Sequence, residues 1–200
     1  MPQQILLLHG GKTYDSHDDY LEYLNSVEIG FEKIRFQKNW KYDLADELGS
    51  DFDVLTPTMP NAASAHYNEW KIWLEKILKL CDENIILIGH SLGGIFLVKY
   101  LAENTAAKKI KATIIVAAPY DAEGCDQSLG DFILPPSLDN LSKQGGKIYL
   151  FLSKDDPQVP FVELDKYKKA LPEAQALVFD DRGHFLIEKF PELVNLIKGL

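Results

Sequence analysis

Cysteine is scarce in this chain, with Cys81 and Cys125 the two occurrences in 200 residues. One pair cannot staple a small secreted scaffold, so the count suits a reducing compartment, although a single bridge between the two is compatible with it. Cys81 closes a helical pattern, where a thiol acts as a small buried apolar group, and Cys125 falls in an expected loop. Long apolar runs are also missing, which excludes a bilayer-spanning helix. The start, Met-Pro-Gln-Gln before Ile5-Leu6-Leu7-Leu8, lacks the basic residues and the longer apolar stretch of a secretory signal. Cationic side chains are outnumbered, 21 Lys and Arg against 30 Asp and Glu, for a formal charge of −9. With no basic stripe to meet phosphates, nucleic-acid and anionic-membrane partners are disfavoured. Neither G-x-G-x-x-G nor G-x-x-x-x-G-K-[ST] occurs, which argues against a nucleotide-binding loop. No Pro/Gly/Ser-rich linker, repeat or low-complexity segment divides the chain. The expectation is one cytoplasmic domain over residues 1–200, long enough to bury a sizeable core.

What is present is an alternation of apolar and amphipathic runs, the pattern of a mainly parallel sheet with helices on both faces. Six strands are expected, at 5–9, 53–56, 85–89, 112–117, 147–152 and 176–179. Residues 67–80 place Trp70, Trp73, Leu74, Ile77 and Leu78 at three- and four-residue steps, one apolar stripe of a docked helix. Further helices are expected over 160–170, opened by Pro160, and over 186–200, where Pro191 bends or restarts the helix. Two more patterns, 18–27 and 39–48, stand where a plain crossover between strands needs one.

Within this frame lies Gly89-His90-Ser91-Leu92-Gly93, a G-x-S-x-G pentapeptide. Ile85-Ile86-Leu87-Ile88 before it reads as a strand buried on both faces, and residues 94–103 after it continue as a helix. A serine on a sharp strand-to-helix turn is forced into a strained backbone that exposes its hydroxyl. The flanking glycines are small because a side chain there collides with the neighbouring strand or helix.

A serine hydroxyl is a weak nucleophile, so it needs a base within hydrogen-bond reach and an acid to orient that base. Asp155-Asp156 follow the fifth expected strand, and a carboxylate there faces the same sheet edge as Ser91. His184 stands in the loop after the last strand, and histidine is the usual base because its pKa lies near neutrality. The order serine, aspartate, histidine is the one this turn type carries. The other histidines read differently. His90 is a packed neighbour of the strand, His9 shapes the first loop, and His66 starts a helix or lies on the surface. His17 with Asp18 and Asp19 reads as a solvated helix start rather than a metal site.

These pieces make the chain similar to the α/β-hydrolases, and more narrowly to the small lidless serine hydrolases related to retinoblastoma-binding protein 9. The matching segments are His9-Gly10-Gly11, Gly-His-Ser-Leu-Gly-Gly at 89–94, Asp-Asp-Pro-x-x-Pro at 155–160 and Gly-His-Phe at 183–185. In that family the acid is followed by two residues and then Val-Pro, which selects Asp156 over its neighbour Asp155. Asp155 then becomes a turn or capping residue in front of Pro157. The resemblance implies a nucleophile at Ser91 and a base at His184. It places the oxyanion donors on the backbone N–H of Leu92 and of Gly11, with Lys12 the alternative to Gly11.

The chain departs from the resemblance over residues 18–37. Small lidless members pass from the His-Gly turn to a single helix, whereas here about twenty extra residues follow the first loop. Tyr20, Leu21, Tyr23, Leu24, Phe31, Ile34 and Phe36 give them apolar side chains that need something to cover. They form either a small cap on the site or an ornament on the sheet edge, and a segment leaving a site loop favours the cap. The usual lid position, 119–146, is too short for a folded lid, so an exposed site for small substrates is expected. The resulting reading is a serine esterase with no metal or organic cofactor, acting on a small-molecule ester, thioester or amide through an acyl-enzyme. The rival is a protein-interaction or ligand-binding module on the same fold with vestigial turnover.

Overall fold

A computed structural model describes residues 1–125 and 128–200. Its centre is one parallel sheet of six strands: β1 (Gln3–Leu8), β2 (Phe52–Leu55), β3 (Ile85–His90), β4 (Ile110–Val116), β5 (Lys147–Ser153) and β6 (Gln175–Phe179). They run in the spatial order β2-β1-β3-β4-β5-β6. All six expected strands are there, with β4 starting two residues earlier than expected, at Ile110. The helices among the described residues are α1 (His17–Ser26), α2 (Phe31–Ile34), α3 (Trp40–Leu48), α4 (Tyr67–Leu80), α5 (Leu92–Glu103), α6 (Asp139–Gln144), α7 (Glu163–Ala170) and α8 (Pro191–Lys198).

The central strands read as near-continuous Ile/Leu/Val because both faces of the sheet are covered. Alternate side chains divide between two cores, as the period of two requires. Leu6, Leu8, Leu87 and Leu150 face a layer built from α4, α5, α6 and α7. Ile5, Leu7, Ile86, Ile88 and Phe151 face the layer of α3 and α8. Each such side chain contributes about 1.5–3 kcal/mol on burial. On α4 the stripe of Trp70, Leu74 and Leu78 is buried as expected. Trp73 is not part of it and is 41% exposed, because a three-step from Trp70 falls about 60° short of a full turn, away from the line of Leu74 and Leu78 and toward solvent.

Two expected helices begin late. Residues 160–165 close three-residue turns, with N–H donation from Glu163 to Pro160 O, Leu164 to Phe161 O and Asp165 to Val162 O. This tight winding precedes α7, so the α-helix itself starts at Glu163. The last helix starts at Pro191 and not at Leu186, because proline lacks the N–H that an interior turn needs and sits well at the first position. The short α2, α6 and a 3-10 turn at Gly130–Phe132 have no marked periodicity and were not anticipated. Between residues 119 and 146 the described chain forms that turn and α6, without a large extra domain. Residues 126 and 127 of this segment lie outside the described residues.

Candidate active site

The strand order reverses direction between β1 and β3, so the loops leaving their carboxyl ends diverge and open a crevice between them. Ser91 stands there, the single residue between β3 and α5, with φ 55° and ψ −123°. A non-glycine residue in that region is strained by about 1–3 kcal/mol and persists only when its surroundings overdetermine it. They do so here. Ser91 N–H donates to Val116 O at 2.8 Å, and Ser91 O accepts from Gly94 N–H at 2.8 Å. The loop after β1 crosses directly above, since a Cβ on Gly10 would lie 3.5 Å from the Ser91 hydroxyl oxygen.

His184 lies in the loop after β6 and is buried. Its Nε2 is 2.9 Å from Ser91 Oγ. Its Nδ1 faces the Asp156 carboxylate at 2.9 Å and 3.1 Å. Asp156 is itself fixed, its Oδ1 accepting from the N–H of Gln158 at 2.8 Å and of Val159 at 3.1 Å. The structure thus joins Ser91, His184 and Asp156 into one hydrogen-bonded chain at the carboxyl edge of the sheet.

Asp155 stands in the turn after β5, as expected, and its carboxylate also makes longer-range bonds. Its carboxylate accepts from the Ser153 hydroxyl at 2.5 Å and from Gly183 N–H at 2.8 Å, and these bonds hold its pKa below the ordinary carboxylate value. Ser153 Oγ in turn accepts from Arg182 N–H at 2.9 Å. The end of β5 therefore ties down residues 182–183 immediately before His184. Sequence order alone had no signal for this clamp, because its partners are 28 and 29 positions apart.

A cavity of about 80 Å³ opens on Ser91 and His184, with Gly11, Leu92, Pro119 and Val159 among its walls. Lys12 N–H donates to Ala62 O at 2.9 Å, and Gly11, not Lys12, is among the residues that line the cavity. The wall at Pro119 is secured by a buried carboxylate. Glu163 accepts from the N–H groups of Tyr120 and Asp121 at 2.6 and 3.0 Å, with Lys166 Nζ 2.7 Å from its other oxygen. Cys125 reaches the same cavity, which its place in a loop did not foretell, and it forms no disulfide with Cys81.

The segment 18–37 behaves differently from the expected cap. Among the described residues none of it lines the cavity at Ser91. Instead Asp19 and Tyr23 of α1 border an adjoining cavity of about 350 Å³, which shares Thr13 and Ser128 as walls with the first. Tyr20 and Tyr23 pack on Tyr14, and Tyr23 OH accepts from Lys12 Nζ at 2.7 Å. Phe31, Ile34 and Phe36 are exposed, with the Phe36 ring edge-on to Tyr42 at 5.1 Å between centroids. At the start of α1 the capping side chain is that of Ser16, which accepts from Asp19 N–H. His9 shapes the first loop as expected, its Nε2 accepting from Met59 N–H at 2.9 Å, and His66 is an exposed residue at the start of α4.

Comparison with known proteins agrees with this geometry. The family model described as "Serine hydrolase" matches residues 30–193. The serine hydrolase RBBP9 of Rattus norvegicus is 32% identical over 152 residues, covering 74% of this chain and 78% of that protein. Among solved structures, the ydeN gene product of B. subtilis superposes with a TM-score of 0.76 at 18% identity, over 98% of this chain and 97% of its own. The naproxen esterase (carboxylesterase NP) of Bacillus subtilis gives 0.64 at 14% identity, over 99% and 82%. Those two likenesses speak for the α/β-hydrolase fold, and the family match with the rat relative speaks for more: this chain belongs to the serine hydrolase family.

Proposed function

We propose that the protein hydrolyses a carboxylic ester of a small molecule through an acyl-enzyme on Ser91. The observation that carries this reading is the unbroken chain from Ser91 Oγ through the His184 ring to the doubly hydrogen-bonded Asp156. His184 Nε2 takes the hydroxyl proton as Ser91 Oγ bonds to the substrate carbonyl carbon, and Asp156 holds the ring and stabilises the imidazolium. The N–H groups of Leu92 and Gly11 receive the oxyanion. Collapse expels the alcohol, which takes the proton from His184. Water then attacks the acyl group by the same route, its proton going to His184, and Ser91 leaves reprotonated. Thioesters and amides answer to the same groups, and none of these steps calls for a metal or an organic cofactor. A cavity of 80 Å³ suits a short acyl or alcohol group, with the adjoining cavity beside α1 available to a longer one. The net negative charge and the sparse cysteines support a cytoplasmic enzyme of small molecules rather than of nucleic acid.

A fluorophosphonate probe tests the reading. Wild type should become covalently labelled, Ser91→Ala should not, and His184→Ala should label far more slowly. A folded wild-type protein that never labels would overturn it.

The two neighbouring aspartates should separate cleanly. Asp156→Ala should lower kcat for a small ester by about 10⁴-fold, and Asp155→Ala by about tenfold. Comparable losses would place the acid wrongly. Asp155 should also show in acid unfolding. Its lowered folded pKa means that its stabilisation is present above the ordinary carboxylate pKa and disappears as the pH falls through the lowered one. Asp155→Asn should therefore flatten the pH dependence of stability in that acid window, measured by urea unfolding.

A further inference from the structure

His184 can serve as a base only if its main chain holds the ring where Ser91 needs it, and the loop that carries it is not regular structure. Phe185, directly after it, has φ 53°, a strained value for a bulky residue, so something must hold the turn. Three carbonyls of this loop are gripped from elsewhere. His90 Nε2 lies 2.8 Å from His184 O. Trp40 Nε1–H donates to Phe185 O at 2.9 Å, and Trp40 N–H donates to Ile187 O at 2.9 Å. The grip joins the last residue of β3, one position before Ser91, to the first residue of α3.

A carbonyl only accepts, so the proton of the neutral His90 ring must sit on Nε2 and its lone pair on Nδ1. The groups whose charges bear on this ring come from three elements: Lys41 of α3, His184 itself, and His9 after β1. The Lys41 ammonium is 3.5 Å from Nδ1, a long contact that favours a lone pair there over a proton. The ring is buried, and desolvation, with the Lys41 and His184 charges, pushes its pKa well below the ordinary value. Burial also lowers the Lys41 ammonium to about 8.

We propose that His90 is a positioning residue for the base, its Nε2–H holding the His184 carbonyl, and that Trp40 completes the bracket at residues 185 and 187. The proposal rests on the reading of His184 as the base. It assigns a role to α3, which lies just beyond the extra segment and reaches the site from the opposite side of the sheet to α4 and α5. A ring that merely fills space predicts no fixed tautomer and no benefit from a polar replacement.

The tautomer can be read without turnover, from long-range ¹⁵N–¹H spectra of protein carrying ¹⁵N-labelled histidine. One ring, identified by its loss in His90→Gln, should stay neutral with its proton on Nε2 from pH 5 to pH 8. A His90 ring that titrates in that range, or carries the proton on Nδ1, overturns the proposal whatever Ser91 does. The kinetic arm uses the fluorophosphonate probe at saturation. His90→Leu should slow the labelling step about tenfold at unchanged probe affinity, and His90→Gln, whose amide can place an N–H where Nε2 stood, should recover to within about threefold of wild type. Equal losses in the two folded variants overturn the proposal. If His90→Leu does not fold, Trp40→Phe carries this arm: it keeps an aromatic ring of smaller size, removes the N–H to Phe185 O, and should slow labelling severalfold. Unchanged labelling there removes α3 from the bracket. A wild-type protein that never labels defeats the esterase reading instead, and the spectra still decide whether His90 grips His184.

Discussion

Ser91→Ala should lower kcat for a small activated ester by about 10⁶-fold while leaving the protein folded, and His184→Ala should lower it by nearly as much. The reason is that in the proposed mechanism the two act as one unit. Without the hydroxyl the base has no proton to accept, and without Nε2 at 2.9 Å the hydroxyl stays protonated and weak. Removing both should therefore lower the rate little beyond either alone, a non-additivity that independent contacts would not show. Asp156→Asn keeps the shape but presents an amide to Nδ1, which disfavours the tautomer with its lone pair on Nε2, so about 10⁴-fold is expected. Substrate binding should survive all of these, since the walls at Pro119, Leu92 and Val159 are untouched. The measurement is kcat and KM on a short p-nitrophenyl ester, with circular dichroism as the check on folding. A Ser91→Ala protein that keeps more than about one part in 10³ of the wild-type rate would move the chemistry to another residue.

The candidate site was legible from sequence to the extent that it is local. Ser91 is announced by five consecutive residues between an apolar run and a helix, and the structure shows the strain that this pattern demands. The six strands were legible because both faces of the sheet are buried, which leaves unbroken Ile/Leu runs such as residues 85–88. His90 was legible in part, as a packed neighbour of the strand. Counting by two from Ile86 and Ile88 puts its side chain on the face that α3 and α8 cover, so its burial followed from register. What it bonds did not follow, because His184 is 94 positions away. Asp155 and Ser153 were opaque for the same reason. The apolar side chains of 18–37 misled in the other direction. Composition asked for a surface that they would cover, yet Phe31, Ile34 and Phe36 are each more than 60% exposed, and only the tyrosines of α1 turn inward. Hydrophobicity says that burial is favourable, and it does not say that the chain reaches a partner surface.

The second large effect concerns packing rather than chemistry. Gly93→Ala should destabilise the protein by about 3 kcal/mol or more, seen as a fall of roughly 1 M or more in the urea midpoint. A Cβ at residue 93 would lie 2.5 Å from His9 O and 2.7 Å from Leu8 O, both backbone atoms at the end of β1 that no rotamer change can move. Either α5 must lift from the sheet or the loop carrying Gly10 and Gly11 must give way. Each route also displaces one of the proposed oxyanion donors, so labelling by fluorophosphonate should fall along with stability. Gly183→Ala is the control. It has the same change in composition and the same effect on unfolded-chain entropy, but nothing lies within 4 Å of its Cβ. There the penalty is that of φ +50° alone, about 1 kcal/mol, partly offset by the stiffer unfolded chain. Residue 93 lies in α5 without a positive φ, so if the two variants unfold at the same urea concentration, the close contact at 93 is relieved cheaply and does not require glycine. A clear gap between them means that close approach of β1 to α5, which brings Gly10 beside Ser91, is what residue 93 secures.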